Sequence, residues 1–330
     1  MRHAADFPDE GINWRRIFGW LVILVGIVVI VLILLRSCAP TPVVRVVAVG
    51  DMACAPTDPN FNSGKGANGE CQAKAVSDAA IKAKPQALLG LGDYQYEVAS
   101  AGDFAAAYAP TWGRLKQITR PAIGNQELKV HKASTYFDYF GGNAIPDPEY
   151  GSYDLGDWHV VVLNTNCTVV EGGCGEQSPQ VAWLKQDLAA NIGTCILVYG
   201  HHPRWSNGIA GPDSRIAPLY DAMVKGGASL YLSGHESDYE RFATLNASHE
   251  PDPNGVRQFV VGTGGQTLYQ PQEGDATWRE TFDPIPAEFF DAKNNGFLQL
   301  DLGHGNYSWQ FIAADGTVID YGKDSCSGSK

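Results

Sequence analysis

Five polar residues in this chain each stand just beyond an apolar stretch and directly after a glycine: Asp51, Asp93, Asn125, His201 and His235. Carboxylate, amide oxygen and imidazole are electron-pair donors, the side-chain types that hold metal ions. Taken one at a time, a Gly-Asp after a strand is ordinarily a turn, and a lone histidine is ordinarily a satisfied structural residue. Five in the same setting form a pattern. Loops leaving the carboxyl ends of strands in an α/β sheet converge on one crevice, so these five side chains are expected to meet.

The elements that must position them follow from the apolar patterning. Val43 to Val49 reads as a buried β-branched strand ending at Gly50-Asp51, and Ala87 to Leu91 as a second ending at Gly92-Asp93. Cys71 to Lys84 is Ala-rich and helical. Trp158 to Leu163 and Thr194 to Tyr199 read as strands on either side of a helix from Pro179 to Asn191, where Val181, Leu184 and Leu188 recur at helical spacing. Leu230 to Leu232, Phe259 to Val261, Phe297 to Leu302 and Tyr307 to Ile312 complete a strand-rich second half. This alternation predicts an α/β domain with helices packed outside mixed sheets.

In this order, Gly50-Asp51, Gly92-Asp93, Gly124-Asn125, Gly200-His201 and Gly234-His235 resemble the signature of calcineurin-like metallophosphoesterases, across roughly Val44 to Ile312. Within that superfamily the likeness is to purple acid phosphatases and related secreted bacterial phosphoesterases. It is carried by Gly92-Asp93-Tyr94-Gln95-Tyr96, by His201-His202-Pro203-Arg204-Trp205-Ser206, and by the Asp238-Tyr239-Glu240-Arg241 that trails His235. The resemblance implies a four-layer α/β/β/α sandwich with two mixed sheets. It also implies one or two divalent or mixed-valence metal ions per chain, of Fe, Zn or Mn. Asp51, Asp93 and Tyr96 would serve the first ion, and Asp93, Asn125, His201 and His235 the second, with Asp93 bridging. The implied reaction is hydrolysis of phosphate mono- or diesters by a metal-bound hydroxide in line with the leaving group.

Two positions depart from the family pattern. Gly-His-x-His reads Gly234-His235-Glu236-Ser237, so a ligand of the first metal has become Ser237, whose neutral hydroxyl is a poor donor; Glu236 would have to change direction to compensate. Gly-Asn-His-Glu reads Gly124-Asn125-Gln126-Glu127. Gln126 can hydrogen-bond a phosphate oxygen but cannot deliver a proton. His202 and His131 are the substitutes by residue type, and nothing in their spacing demonstrates the role. The competing reading is a non-catalytic descendant of the fold that binds a phosphorylated ligand or partner.

Composition narrows the rest. With 36 acidic against 24 basic residues among 330, nucleic-acid binding is not expected. Ile17 to Leu35 carries no charge and is flanked by Arg15, Arg16 and Arg36, a length close to what a bilayer core requires. We read 1–16 as a cytoplasmic tail, 17–35 as a retained transmembrane helix, 36–42 as a linker, 43–322 as one extracytoplasmic domain and 323–330 as a C-terminal tail. Leu35-Arg36-Ser37-Cys38 has the cysteine of a lipobox, but Arg36 fits it poorly.

Beyond the anchor, cysteine usage agrees with an oxidising compartment. Cys54 and Cys71 bracket one loop and Cys167 and Cys174 another, and Cys195 can pair with Cys326 or stand as a small buried hydrophobe. Asn166-Cys167-Thr168, Asn246-Ala247-Ser248 and Asn306-Tyr307-Ser308 match the glycosylation triplet, which recurs by chance. Gly262-Thr263-Gly264-Gly265 lacks dinucleotide-binding spacing and reads as a tight turn near the site. Walker, G-x-S-x-G and H-E-x-x-H elements are absent. For His159 and His304, packing is the expected role.

Overall fold

Strands that are apolar on both faces must be covered on both, and this requirement organises the domain. The computed structural model describes residues 43–146, 149–269 and 285–327, with Trp20, Leu24 and Gly26 before them. The chain divides into Met1–Pro42 and Val43–Lys330, and the second unit is described below. The expected tail, anchor and linker, with Cys38, lie outside the described residues except for those three helical positions. Among the described residues no helix is long and apolar enough to cross a membrane.

The strands are β1 (Val44–Val49), β2 (Ala87–Gly90), β3 (Thr119–Pro121), β4 (Gly151–Leu155), β5 (Trp158–Val162), β6 (Cys195–Tyr199), β7 (Leu230–Ser233), β8 (Tyr239–Leu245), β9 (Val256–Val261), β10 (Phe289–Asp291), β11 (Gly296–Gly303), β12 (Asn306–Ala313) and β13 (Val318–Ser325). They form two mixed sheets, ordered β13-β12-β11-β1-β2-β3 and β10-β8-β9-β7-β6-β5-β4. In the first sheet β1, β2 and β3 run parallel out to one edge and β11, β12 and β13, paired antiparallel, build the other half, whereas in the second β5, β6, β7 and β9 run parallel at the centre with β4, β8 and β10, paired antiparallel, at the margins.

Period-two alternation divides each central strand between two cores. In β1, Val44, Val46 and Ala48 enter the core between the sheets, whereas Val47 and Val49 face the helices. In β6, Cys195, Leu197 and Tyr199 point inward and Ile196 and Val198 outward. Helices α1 (Ala73–Lys82) and α2 (Ser134–Phe140) cover the first sheet through Val76, Ala80, Tyr136 and Phe140. Helices α3 (Pro179–Ala190) and α4 (Ala217–Lys225) cover the second through Val181, Leu184, Leu188, Leu219 and Met223. The layers are therefore α/β/β/α, as expected. Ser178 caps α3 by accepting the Val181 N–H, and Pro179 supplies a preset first turn.

The central strands and α1 and α3 fall where the sequence places them. The strands it does not announce, β3, β4, β8, β10 and β13, are short, marginal or polar on one face; β13 reads Val-Ile-Asp-Tyr-Gly-Lys-Asp-Ser. This corrects the C-terminal boundary, since 323–325 continue β13 rather than begin a tail. Pairing with β12 supplies the backbone partners that the strand's own side chains do not predict.

Three disulfides form, Cys54–Cys71, Cys167–Cys174 and Cys195–Cys326, with Cα separations of 5.5, 5.0 and 5.4 Å. The last joins the start of β6 to the residue after β13, and so ties one sheet to the other. Asn166 is buried and donates to Ile123 O and Asn164 Oδ1, which removes that glycosylation triplet from solvent. His159 is held between Asp154 and Asp187, and His304 pairs with Asp157 at the surface.

Candidate metal centre

All five donors lie beyond the carboxyl ends of β1, β2, β3, β6 and β7, and they converge. Asp51, Asp93 and His235 have φ of +55°, +52° and +74°, a left-handed conformation that is sparsely populated outside glycine and that recurs where a fold aims functional side chains. The preceding glycines allow the loops to close on one another. A Cβ on Gly234 would stand 2.6 Å from Asp51 Oδ2, and one on Gly124 would stand 2.3 Å from the Asp93 backbone nitrogen. Gly264 N–H donates to Gly50 O, which places the Gly262–Gly265 turn against the same floor.

On one side, Asn125 Oδ1 lies 2.9 Å from His201 Nε2 and 3.1 Å from His235 Nδ1, and the two ring nitrogens are 3.2 Å apart. His201 Nδ1 faces the Leu91 carbonyl at 2.8 Å, so that nitrogen carries the proton, and Nε2 of the neutral ring presents a lone pair. Its neighbours there, Asn125 Oδ1 and Asp93 Oδ1 at 3.4 Å, are acceptors too. His235 Nδ1, by its tautomer, can donate into this group or present a lone pair. Despite burial, Asp93 pushes His201 up to about 9. Burial and the charged His201 push His235 down to about 4. The donor set thus fits a cation on its own chemistry.

On the other side, Tyr96 Oη lies 2.5 Å from Asp51 Oδ1 and 2.9 Å from Asp93 Oδ2. Burial and the Asp93 carboxylate push Asp51 up to about 7, while burial and both carboxylates hold the Tyr96 phenol well above its usual range. Three oxygens therefore converge here. Ser237 does not join them: it makes no side-chain hydrogen bond to Asp51, Asp93 or Tyr96, and its carbonyl accepts the Tyr269 N–H. Nor does Glu236 compensate. Its carboxylate turns to the N–H groups of Ala210 and Gly211, and burial pushes it up to about 7.

Gln126 donates its backbone N–H to Asp93 Oδ1 at 2.8 Å. His202 is buried beside the metal side, with its ring 4.4 Å from that of His235. Thr165 Oγ1 accepts the N–H of both His201 and His202, so its hydroxyl proton is left to donate to His202 Nδ1 at 3.0 Å. The proton of the neutral His202 ring then sits on Nε2. Burial, with His201 and His235, holds the ring well below the usual imidazole range. His202 is therefore a neutral hydrogen-bond donor rather than a cationic acid. His131 lies on an exposed turn.

Two positioning residues escaped the sequence reading. Glu127 accepts the backbone N–H groups of Asp93, Tyr94 and Gly124, locking two site loops together, and burial and Asp93 push it up to about 8. It stands in the Gly124-Asn125-Gln126-Glu127 motif, and that was its available signal. Thr165, after β5, has no motif of its own.

Comparison with known proteins finds phosphatases. Tartrate-resistant acid phosphatase type 5 of Mus musculus is 26% identical over 274 residues, 74% of this chain and 80% of the relative. The Sus scrofa protein of the same name is 24% identical over 317 residues, 85% and 86%. Purple acid phosphatase PPD1 from yellow lupin superposes with a TM-score of 0.64 at 18% identity, over 86% of this chain and 54% of the lupin chain. The chain is similar in sequence and in fold to the purple acid phosphatases, as the calcineurin-like metallophosphoesterase resemblance implies. No family profile matches the sequence. Measured against the metallophosphoesterase pattern, the residues expected of the second metal side are all present and brought together, and the departures fall at Ser237 and Gln126.

Proposed function

We propose that this chain is a metal-dependent phosphoric ester hydrolase acting on phosphate mono- or diesters. The observation that carries the reading is the convergence of Asn125 Oδ1, His201 Nε2, His235 Nδ1 and Asp93, a carboxylate, an amide oxygen and two imidazoles of the types that hold a metal ion. Asp93, Asn125, His201 and His235 would hold one ion of Fe, Zn or Mn type, and Asp51, Asp93 and Tyr96 a weaker second. When bound, such an ion polarises a phosphoryl oxygen and acidifies water. Hydrolysis joins a water oxygen to phosphorus and breaks the bond to the leaving oxygen, which takes up a proton. Around that reaction His202 donates a hydrogen bond from Nε2, and Glu127 keeps the Asp93 and Asn125 loops in register.

A phosphate-binding protein without turnover is the second reading, favoured by Gln126 and Ser237, which together remove a proton donor and a metal ligand of the family pattern. For location, we propose that Ile17 to Leu35 anchors the chain and leaves the rest outside the cytoplasm; the three disulfides support an oxidising compartment. The test is elemental analysis of the full-length chain, with hydrolysis of a chromogenic phosphomonoester and phosphodiester on the same sample. Bound metal with turnover is expected. Metal without turnover on either ester selects the binding reading, and absence of both removes the site.

A further inference from the structure

Beside the metal centre lies a cavity of ≈ 270 Å³ whose wall includes Asn125, Lys129, Asn166, Thr168, His202 and Arg215. Asn125 and His202 belong to the centre, so the cavity opens directly from it. In a chain of net charge −12 the wall has two cations and no carboxylate among the described residues. Lys129 has no ion-pair partner among the described residues, although it is exposed. Asp213 clamps Arg215 through Nε and Nη2 and so orients the guanidinium, with Nη1 outside that clamp.

We infer that this cavity is a subsite for a second anionic group, so that the substrates are organic phosphates whose leaving group carries a further carboxylate or phosphate. The inference rests on the hydrolase reading and narrows it. A phosphoryl group at the centre would set its leaving group beside a wall that carries the donors Thr168 and His202 and the cations Lys129 and Arg215. Fixed cations at a cavity mouth concentrate and orient anionic ligands, and at exposed positions each contact contributes modestly.

The test compares 3-carboxyphenyl phosphate with 3-carbamoylphenyl phosphate, which match in shape and differ in charge, on the metal-loaded full-length chain. The carboxylate ester is expected to have a kcat/KM higher by roughly fivefold at low salt, as fits two exposed charge contacts. That ratio should fall with added salt and drop to about one in Lys129→Ala/Arg215→Ala. A ratio of one in the unaltered chain, or a double variant that lowers both esters equally, overturns the subsite. If neither ester turns over, the hydrolase reading has failed and binding decides the subsite separately, by calorimetry with orthophosphate and pyrophosphate. Tighter pyrophosphate binding that is lost in the double variant upholds it; equal binding of the two anions overturns it.

Discussion

Thr165 Oγ1 stands 3.0 Å from His202 Nδ1 and accepts the backbone N–H groups of His201 and His202. One hydroxyl thereby sets both the tautomer of His202 and the path of the chain that presents His201. Thr165→Val keeps the shape and removes every one of these bonds. Two buried N–H groups lose their partner, so stability should fall by about 1–3 kcal/mol, read as a lower Tm. Turnover should fall as well, because the His202 proton is no longer confined to Nε2. Unchanged Tm and kcat would show that the hydroxyl orders nothing.

Asp93 meets both sides of the centre, through Oδ1 toward His201 and Oδ2 toward Tyr96. Asp93→Ala should abolish bound metal in elemental analysis. Asn125→Ala, which touches only the histidine side, should lower metal content without emptying the site.

Ser237→His with Gln126→His restores the family's two missing groups. A regained proton donor is worth about two to four orders of magnitude in rate, and a regained imidazole should raise the metal-to-protein ratio. If the double variant changes neither metal content nor rate on a chromogenic phosphomonoester, the assignment of these two positions is wrong.

Glu240 is buried, accepts from Ser206 Oγ and the Asn207 N–H, and burial pushes it up from 4.5 to about 8. The fold thus prefers its protonated form. That contribution to stability is complete below about 4.5 and is lost as pH rises toward 8, where the folded state must ionise a buried acid. Metal-free protein should accordingly melt lower at pH 8 than at pH 5.5, reflecting a loss of stability on the order of a few kcal/mol. Glu240→Gln should flatten the profile of Tm against pH; an unaltered slope would assign it to other groups.

The Cys195–Cys326 bond closes a loop of 131 residues and joins the two sheets. Removing a native disulfide of this kind costs about 2–5 kcal/mol. Cys195→Ala/Cys326→Ala should show a corresponding fall in Tm, and added reductant should lower the Tm of the unaltered chain but not that of the variant by this increment.

The five metal-side residues and the central strands are written in local chemistry. An apolar run, a glycine and then a donor describe a strand end and the turn after it, and both depend on neighbours within a few positions. The cysteine pairs in the two short loops are local in the same way. What only the tertiary structure decided involves partners far apart in the chain. Glu127 reaches the backbone of Asp93 and Tyr94, 34 and 33 residues away, and Thr165 reaches His201 across 36. Lys129 and Arg215 are brought to one cavity by loops from different sheets. Strands such as β3 and β13 exist because a neighbouring strand offers hydrogen-bonding partners, not because their own residues are strongly apolar. The direction of Glu236, onto the Ala210–Gly211 backbone, was likewise a matter of packing: a buried carboxylate goes where N–H donors are, and those donors come from another loop.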